Sequence, residues 1–316
     1  VAAEYGVEVE GREPRAVAKD LALAMQEDYG TRRARLGLLT RVPEPRLALW
    51  DRVGITPRGI DRETSEMMHR THMGVDNDWQ NLLLQSLRNA LSDGWGGSMI
   101  ATEVSDILFG TPQPVASRVN LGVLREDQVN IAVHGHNPIV SETIMRACRD
   151  EGLLQRARDR GASGINLVGL CCTGNELLMR HGVPMAGNHL MTELALVTGA
   201  MEMMLVDYQC IMPSLGRIAS CYHTRMVSTS DKAKFPGMEH QEFHPDNAGE
   251  MAYRLVEQAV DNFGRRNSDK VSIPSQPVYL IGGFSVEAVL QALGGSLDPL
   301  LGAVNAGKIR VAVAVV

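Results

Sequence analysis

Three short segments of the sequence each join the pattern of a buried β-strand to a residue that can bind a metal ion. Val129–His136 ends on a histidine pair, Ile165–Cys172 ends on two cysteines, and Met204–Cys210 ends on one. The carboxyl ends of parallel strands share one edge of an α/β sheet, so residues distant in sequence converge there. One imidazole and two thiolates gathered in this way form a soft site that suits iron–sulfur chemistry, zinc or nickel. The sequence therefore predicts a metal site at this edge.

The histidine segment contains two candidate ligands, His134 and His136, separated by a glycine. Gly135 allows the backbone to turn tightly after the strand, and Pro138 prevents the strand from continuing. A histidine at this point faces the crevice at the sheet edge. We expect at most one of the two histidines to be a ligand, and the local pattern leaves open which one.

The cysteine segments have the same strand-then-turn pattern. Cys171 and Cys172 come just before a predicted helix, whose dipole and free amides stabilise thiolates. Adjacent residues of an extended segment point in opposite directions, so we expect one of these cysteines to be a ligand and the other to pack in the core. Cys210 is followed by Ile211-Met212-Pro213, which ends the third segment in the same way.

Two kinds of periodicity divide the sequence near residues 120–128. Up to about residue 125 the pattern is helical, with Asp61 and Asp76 as expected N-caps, a helix break at Gly94–Gly97 and no strand signal. From about residue 128 short apolar runs alternate with helices, which indicates a doubly wound parallel sheet. The predicted strands are Val129–Val133, Ile165–Leu170, Met203–Val206, Val278–Ile281 and Ile309–Val316. We predict an α/β fold with a helical domain over 1–125 and a Rossmann-like domain over 126–316 that carries part of the metal site.

Composition narrows the class of protein. With 44% hydrophobic and 22% charged residues, the 316-residue chain has the make-up of a globular protein, and its net charge of −6 does not favour nucleic acid as a partner. No apolar run reaches the ~20 residues of a membrane span. Five cysteines without a secretory signal indicate a reducing, cytoplasmic compartment rather than a disulfide framework. The first residue, Val1, and the closing apolar run Val311–Val316 predict that the sequence is a fragment.

Longer strings of residues around these positions resemble a known family. They are Asp93–Ser98, Val133–Pro138, Gly169–Gly182, Asp207–Leu215 and Ser228–Gly237. In these strings, which extend over nearly the whole chain, the sequence resembles the anaerobic nickel–iron carbon monoxide dehydrogenases. The hybrid-cluster proteins share the architecture but match the strings less well. The resemblance implies an enzyme that oxidises CO with water to CO2 at a nickel–iron–sulfur cluster.

The resemblance also implies roles for individual residues. His136 ligates the outlying iron of the cluster, and the same iron takes one cysteine of the Cys-Cys pair. Cys172 lies 38 positions before Cys210, and this spacing fits the family pattern. The resemblance therefore favours Cys172 over Cys171 as the ligand. Cys210 holds another cluster iron, and Asp93 belongs to the polar shell around the metal-bound hydroxide.

The family further implies a ferredoxin-like electron carrier, 4Fe-4S clusters, a homodimer and a possible association with acetyl-CoA synthase. Its additional cysteine ligands, proton-relay histidines and catalytic lysine have no counterpart in this sequence, so we expect the chain to be inactive alone. Two alternatives remain. One is a zinc or simple iron–sulfur protein that uses His136, Cys172 and Cys210, because three N/S ligands and a water suffice for zinc. The other is a scaffold protein of the same fold without activity.

Overall fold

The structure is a computed structural model that describes residues 1–30 and 35–313. It divides into two compact units, Val1–Gly110 and Thr111–Val316. In its described part the first unit is helical, with α1 (Pro14–Gln26), α2 (Glu44–Val53), α3 (Ile60–Arg70), α4 (Trp79–Ser92) and α5 (Ser98–Phe109), and 3₁₀ turns at Ala2–Tyr5 and Gly37–Arg41. The predicted helical character of this part of the chain is confirmed.

Both predicted N-caps are wrong. The residue before α3 is Gly59, and Asp61 lies inside the first turn of the helix. The cap of α4 is Asp78, whose carboxylate accepts hydrogen bonds from the amides two and three residues further on, at 2.8 and 3.0 Å. Asp76 instead forms an ion pair with Arg70 at 3.4 Å. The other oxygen of Asp76 accepts from the amide of Asp78 at 3.1 Å, so Asp76 stabilises the turn just before the helix and Asp78 is the cap.

The predicted helix break at the glycines is also wrong. Asp93–Gly97 forms a π-helical turn that connects α4 directly to α5. Gly96 is buried in this turn, and a Cβ there would lie only 2.9 Å from a side-chain carbon of Ile60. The glycine therefore allows a close contact between elements of the first unit, and the chain keeps a helical path because that contact stabilises it.

A buried carboxylate organises α3 and α4. The side chain of Glu63 is fully buried, at 0% exposure. It accepts hydrogen bonds from the Nε atoms of Arg58 and Arg88, both at 2.8 Å, and from the side-chain amide of Gln85 at 3.2 Å. Burial raises the pKa of Glu63, but the hydrogen bonds from Arg58 and the charge of Arg88 outweigh burial, and the pKa falls from 4.5 to about 2.

The second unit alternates strands and helices. Its strands are β1 (Val115–Val119), β2 (Val129–His134), β3 (Ile165–Leu170), β4 (Met185–Gly187), β5 (Met201–Val206), β6 (Arg225–Ser228), β7 (Glu239–His240) and β8 (Val278–Gly282). Its α-helices are α6 (Pro138–Ala147), α7 (Glu151–Asp159), α8 (Cys171–His181), α9 (Thr192–Val197), α10 (Leu215–Ala219), α11 (Ala248–Asn262), α12 (Val286–Ala292) and α13 (Asp298–Asn305). Short 3₁₀ turns lie at Leu121–Val123, His189–Met191, Asp231–Ala233, Pro245–Asn247, Phe263–Arg265 and Ser268–Lys270.

All eight strands belong to one sheet with the order β7-β6-β5-β2-β3-β4-β1-β8. Every neighbouring pair is parallel except β1 and β8, which are antiparallel. The predicted α/β fold with a mostly parallel sheet is therefore confirmed. Strand β1 was not anticipated from the sequence, because a serine and an arginine interrupt its short apolar pattern.

The predicted C-terminal strand is not found in the described residues. No strand is assigned between residues 309 and 313, and Val311 and Val313 are 75% and 81% exposed. The remainder of that prediction, residues 314–316, lies outside the described residues. An apolar run forms a strand only when a neighbouring strand pairs with it, and within the second unit the sheet ends at β8.

Helices cover both faces of the sheet. On β2, Ile131 and Val133 pack on one face with residues of α6 and α11, whereas Ala132 packs on the other with residues of α9 and α10. All six residues of β2 are buried, as expected for a central parallel strand. The predicted doubly wound arrangement is confirmed. Across the described ranges, no helix has both the length and the apolar character needed to cross a membrane.

Candidate metal centre

The ends of three central strands lie in one row. His134, the last residue of β2, pairs with Leu170, the last residue of β3, and with Val206, the last residue of β5. Main-chain hydrogen bonds of the sheet therefore fix the points from which the histidine and cysteine segments leave it. This is the alignment of strand ends that the sequence predicted.

His136 and Cys210 meet just beyond this row. The Nε2 atom of His136 lies 3.9 Å from the Sγ atom of Cys210. The other ring nitrogen, Nδ1, lies 3.0 Å from the carbonyl oxygen of Tyr208. Because a carbonyl can only accept, Nδ1 carries the proton, and the lone pair of the neutral ring is on Nε2, beside the thiol. This is the tautomer that a metal-binding histidine requires.

The turn that carries Cys210 has an unusual backbone. Gln209 and Cys210 have φ values of 61° and 54°, in the left-handed region that side-chain-bearing residues rarely adopt. His134 stabilises the turn, since its Nε2 donates to the carbonyl oxygen of Cys210 at 3.0 Å. His134 is buried, and burial lowers its pKa to about 4, so the ring is neutral at pH 7. Its Nδ1 has no hydrogen-bond partner among the described residues.

A buried carboxylate, Asp207, connects the two turns. It accepts hydrogen bonds from the backbone amides of His136 at 2.6 Å, Asn137 at 2.8 Å and Tyr208. Gly135 allows this approach: its φ is 131°, and a Cβ at this position would lie 2.0 Å from the Oδ1 atom of Asp207. Sequence reasoning missed Asp207 as a functional residue. Its position directly after a buried strand, like the positions of the histidines and cysteines, was a signal that could have identified it.

The two adjacent cysteines occupy different environments. Both lie in the first turn of α8, and Cys171 is buried whereas Cys172 is exposed. Burial, followed by the neighbouring Cys210, raises the pKa of Cys171 to about 12, and the same two causes raise the pKa of Cys172. We expected the start of the helix to stabilise thiolates, but desolvation by burial has the larger effect on both pKa values. One thiol of the pair is therefore buried, in hydrogen-bond contact with Cys210, and the other is exposed, and which of them is a ligand stays a prediction.

The structure brings together some of the predicted site residues. His136 and Cys210 are in contact, and Cys172 is close enough for Cys210 to influence its pKa. Within residues 1–30 and 35–313, however, no group of three or more His, Cys, Asp or Glu side chains is arranged to hold a metal ion. Asp93 is an exposed residue of the first unit, at the start of the π-helical turn, and its role stays a prediction.

The chemistry of the donors fits a soft metal centre. Metal–ligand bonds of ~2.0 Å to nitrogen and ~2.3 Å to sulfur bring two donors of one ion, or of neighbouring ions in one cluster, within a few ångströms of each other. The separation of 3.9 Å between the donor atoms of His136 and Cys210 is in this range. Imidazole and thiolate are the ligands found on zinc, nickel and iron–sulfur clusters. The pair therefore fits part of a ligand set, to which the accessible Cys172 would add a third donor.

Comparisons with known proteins give a consistent result. The family model described as the Prismane/CO dehydrogenase family matches residues 1–316. The chain is 54% identical over 310 residues to carbon monoxide dehydrogenase 1 of Methanosarcina mazei, covering 98% of this chain and 49% of that protein. It is 42% identical over 316 residues to carbon monoxide dehydrogenase 2 of Carboxydothermus hydrogenoformans, with the same coverage of each chain. The chain thus spans about half the length of the curated relatives it matches.

Solved structures agree with this result. An as-isolated, nickel-free carbon monoxide dehydrogenase from Thermococcus sp. AM4 has a TM-score of 0.93 and 49% identity, covering 96% of this chain and 48% of that chain. An acetyl-CoA synthase/carbon monoxide dehydrogenase with NiZn[Fe4S4] and NiNi[Fe4S4] clusters has a TM-score of 0.91 and 40% identity, covering 98% of this chain and 47% of that chain. The similarity to each extends over both units.

Proposed function

Because the chain belongs to the Prismane/CO dehydrogenase family, we propose that it forms part of an anaerobic carbon monoxide dehydrogenase. Such an enzyme oxidises CO with water to CO2 at a nickel–iron–sulfur cluster. The observation that carries the proposal is the contact between His136 and Cys210, in which the unprotonated imidazole nitrogen faces a thiol at 3.9 Å. An imidazole–thiolate pair of this kind binds soft metals, and the relatives named above are carbon monoxide dehydrogenases.

In this proposal His136 would ligate one iron through Nε2, Cys172 would ligate the same iron, and Cys210 would ligate another. When bound, the nickel–iron–sulfur cluster supplies a redox centre that takes up the two electrons released from CO. The residues of this chain orient the donors. Tyr208 keeps the proton on Nδ1 of His136, and the buried, packed Cys171 leaves the accessible Cys172 as the ligand of the pair.

The wider assignments follow from the same family. We propose that Asp93 belongs to the polar shell of the reacting centre and that the electrons pass to a ferredoxin-like iron–sulfur carrier. We further propose a cytoplasmic homodimer in an anaerobe, with 4Fe-4S clusters in the complete enzyme and a possible association with acetyl-CoA synthase. Three donors are fewer than the roughly six that the cluster takes in the family, so this chain by itself is expected to be inactive.

The test compares the two adjacent cysteines in the complete enzyme, loaded anaerobically with iron, sulfide and nickel. Cys172→Ser should lower the bound nickel and iron and abolish CO-dependent viologen reduction, as should His136→Ala and Cys210→Ser. Cys171→Ser is the matched control and should keep both the metals and the activity. A fully loaded enzyme without CO-dependent reduction would refute the proposal. Stoichiometric zinc without iron would favour a simple zinc protein.

A further inference from the structure

We propose that Asp207 is the positioning residue of the candidate metal centre. Its carboxylate fixes the turn that carries His136 against the turn that carries Cys210, so that both donors are in place before a metal ion arrives. The inference rests on the proposed function only in treating these two side chains as metal ligands.

The first support is the number of backbone groups that converge on this carboxylate. Asp207 follows β5 directly and is 3% exposed. Its Oδ1 accepts from the amides of His136 and Tyr208, and its Oδ2 accepts from the amide of Asn137. Two of these amides belong to the histidine turn and one belongs to the cysteine turn. A single side chain therefore connects two segments that are about seventy positions apart in sequence.

The second support is the chemical fit of a carboxylate to this place. An ionised carboxylate has only acceptors, and three amides supply donors that offset part of the cost of burying its charge, while burial still raises the pKa of Asp207. An asparagine would keep an oxygen for His136 and Tyr208 but would turn its own NH2 group toward the amide of Asn137. One hydrogen bond would be lost and a donor–donor contact created. Alanine would remove all three bonds.

The third support is Gly135, whose backbone lies directly against the same carboxylate. A Cβ at residue 135 would lie 2.0 Å from the Oδ1 atom, and the φ of 131° is strained for any other residue. Gly135 is held in turn by α8, because its carbonyl oxygen accepts from the amide of Thr173 at 2.9 Å. The histidine turn thus has no room to move away from Asp207 without breaking contacts to α8.

The contacts of the two histidines depend on this arrangement. His134 donates to the carbonyl oxygen of Cys210, and His136 donates to that of Tyr208, both at 3.0 Å. These bonds hold the left-handed turn at Gln209 and Cys210, a conformation that costs energy on its own. If the histidine turn shifts, the rings no longer reach those carbonyls. The thiol of Cys210 then loses its fixed distance from Nε2 of His136.

The test uses the complete chain as purified without metal and titrates it with Co²⁺ under anaerobic conditions. Cobalt bound to a thiolate gives a charge-transfer absorption band, which reports the affinity and the ligand. We expect the wild-type protein to show this band and the variants His136→Ala and Cys210→Ser to lose it. Asp207→Asn should retain the band with about tenfold weaker binding, which corresponds to ~1.4 kcal/mol. Asp207→Ala should bind more weakly still.

Two further variants separate positioning from general stability. Gly135→Ala should also weaken cobalt binding, because the added Cβ would displace the carboxylate of Asp207. Asp246→Asn, at an exposed carboxylate of the same unit, is the matched control and should bind like the wild type. Hydrogen exchange should become faster at the amides of His136 and Asn137 in the Asp207 variants. If Asp207→Ala fails to fold, Asp207→Asn and Gly135→Ala decide the question.

Several results would overturn the proposal. The first is that the wild-type protein binds no Co²⁺. The second is that Asp207→Asn and Gly135→Ala bind Co²⁺ as tightly as the wild type. The third is that Asp246→Asn loses as much cobalt affinity as the Asp207 variants. None of these readouts involves CO. Normal cobalt binding together with a fully loaded, inactive complete enzyme would refute the proposed function and leave the role of Asp207 intact.

Discussion

Acidification should unfold the first unit through Glu63. The pKa of this buried carboxyl is about 2 in the folded protein, against 4.5 for the free group, because its bonds to Arg58 and Arg88 outweigh the effect of burial. At 1.36 kcal/mol per pKa unit, the difference corresponds to ~3 kcal/mol of folding free energy. Since the folded-state pKa is the lower one, this stabilisation is complete above pH 4.5 and is lost as the pH falls towards 2.

The three tryptophans make this measurement specific to the first unit. Trp50, Trp79 and Trp95 all lie within residues 1–110, and the second unit has none. Urea unfolding followed by tryptophan fluorescence at a series of pH values, from neutral down to about 3, therefore gives the free energy of this unit alone. The wild-type protein should lose stability steadily below about pH 5.

Glu63→Gln tests the assignment, because it removes the charge and keeps the shape. The variant should be less stable than the wild type by ~3 kcal/mol at neutral pH, and the two curves should approach each other in acid. The free energy of unfolding of the variant should still fall with pH, but less steeply, because of Glu66. Burial raises the pKa of Glu66, but the neighbouring arginines have the larger effect and lower it. Glu10→Gln, at an exposed carboxylate of the same unit, should follow the wild type. A Glu63→Gln protein with the full wild-type pH dependence would refute the reasoning.

Three predictions concern the second unit. Gly169→Ala would place a Cβ 2.3 Å from the backbone of α8, so we expect a loss of ~3 kcal/mol or failure to fold, measured by thermal melting with circular dichroism. Glu202→Ala would leave the nearly buried guanidinium of Arg266 with backbone carbonyls but without the carboxylate that balances its charge at 2.7 Å, at a cost of ~3–5 kcal/mol in urea unfolding. The double variant Glu202→Leu, Arg266→Met should recover only part of that loss, because the amide of Asn130 and the ring of His223 also lose Glu202 as an acceptor, and equal losses in both proteins would contradict the account. Burial raises the pKa of Cys148 to about 12, so a maleimide at neutral pH should modify the exposed Cys221 but not native Cys148, as mass spectrometry would show.

The central strands could be predicted from the sequence because their physical signal is strong. A strand buried on both faces is mostly apolar, and β2, β3 and β5 follow this rule apart from the polar residues Asn130, His134, Asn166 and Glu202. The position of a candidate metal-binding residue after each strand end then followed from the general geometry of parallel sheets. Strand β1 gave no such signal, since it is short and includes polar residues, and its pairing with β4 and β8 depends on residues far away in sequence.

The details of the site could not be predicted because they depend on contacts between distant residues. Whether Cys171 or Cys172 is packed depends on where α8 begins, and the helix starts at Cys171, earlier than its pattern indicated. The proton on His136 is placed by the carbonyl of Tyr208, which no local pattern includes. The start of α4 is a further example, because Asp76 contacts an arginine of α3 and the helix begins only after Asp78.

The number of sequence positions between each donor residue and the end of its strand determines how firmly the sheet holds that donor. It also explains why the turn of Cys210 needs contacts outside the sheet. Cys172 and His136 each follow the last residue of their strand by two positions, so the ladder hydrogen bonds of the sheet restrict both strongly. Cys210 follows its strand by four positions and lies in a left-handed turn, where the sheet alone cannot fix it. The backbone of this turn receives the bonds from both histidine rings, and Asp207 stands at its start. The donor that the sheet restricts least therefore lies in a turn that contacts outside the sheet hold in place, as a preorganised site requires.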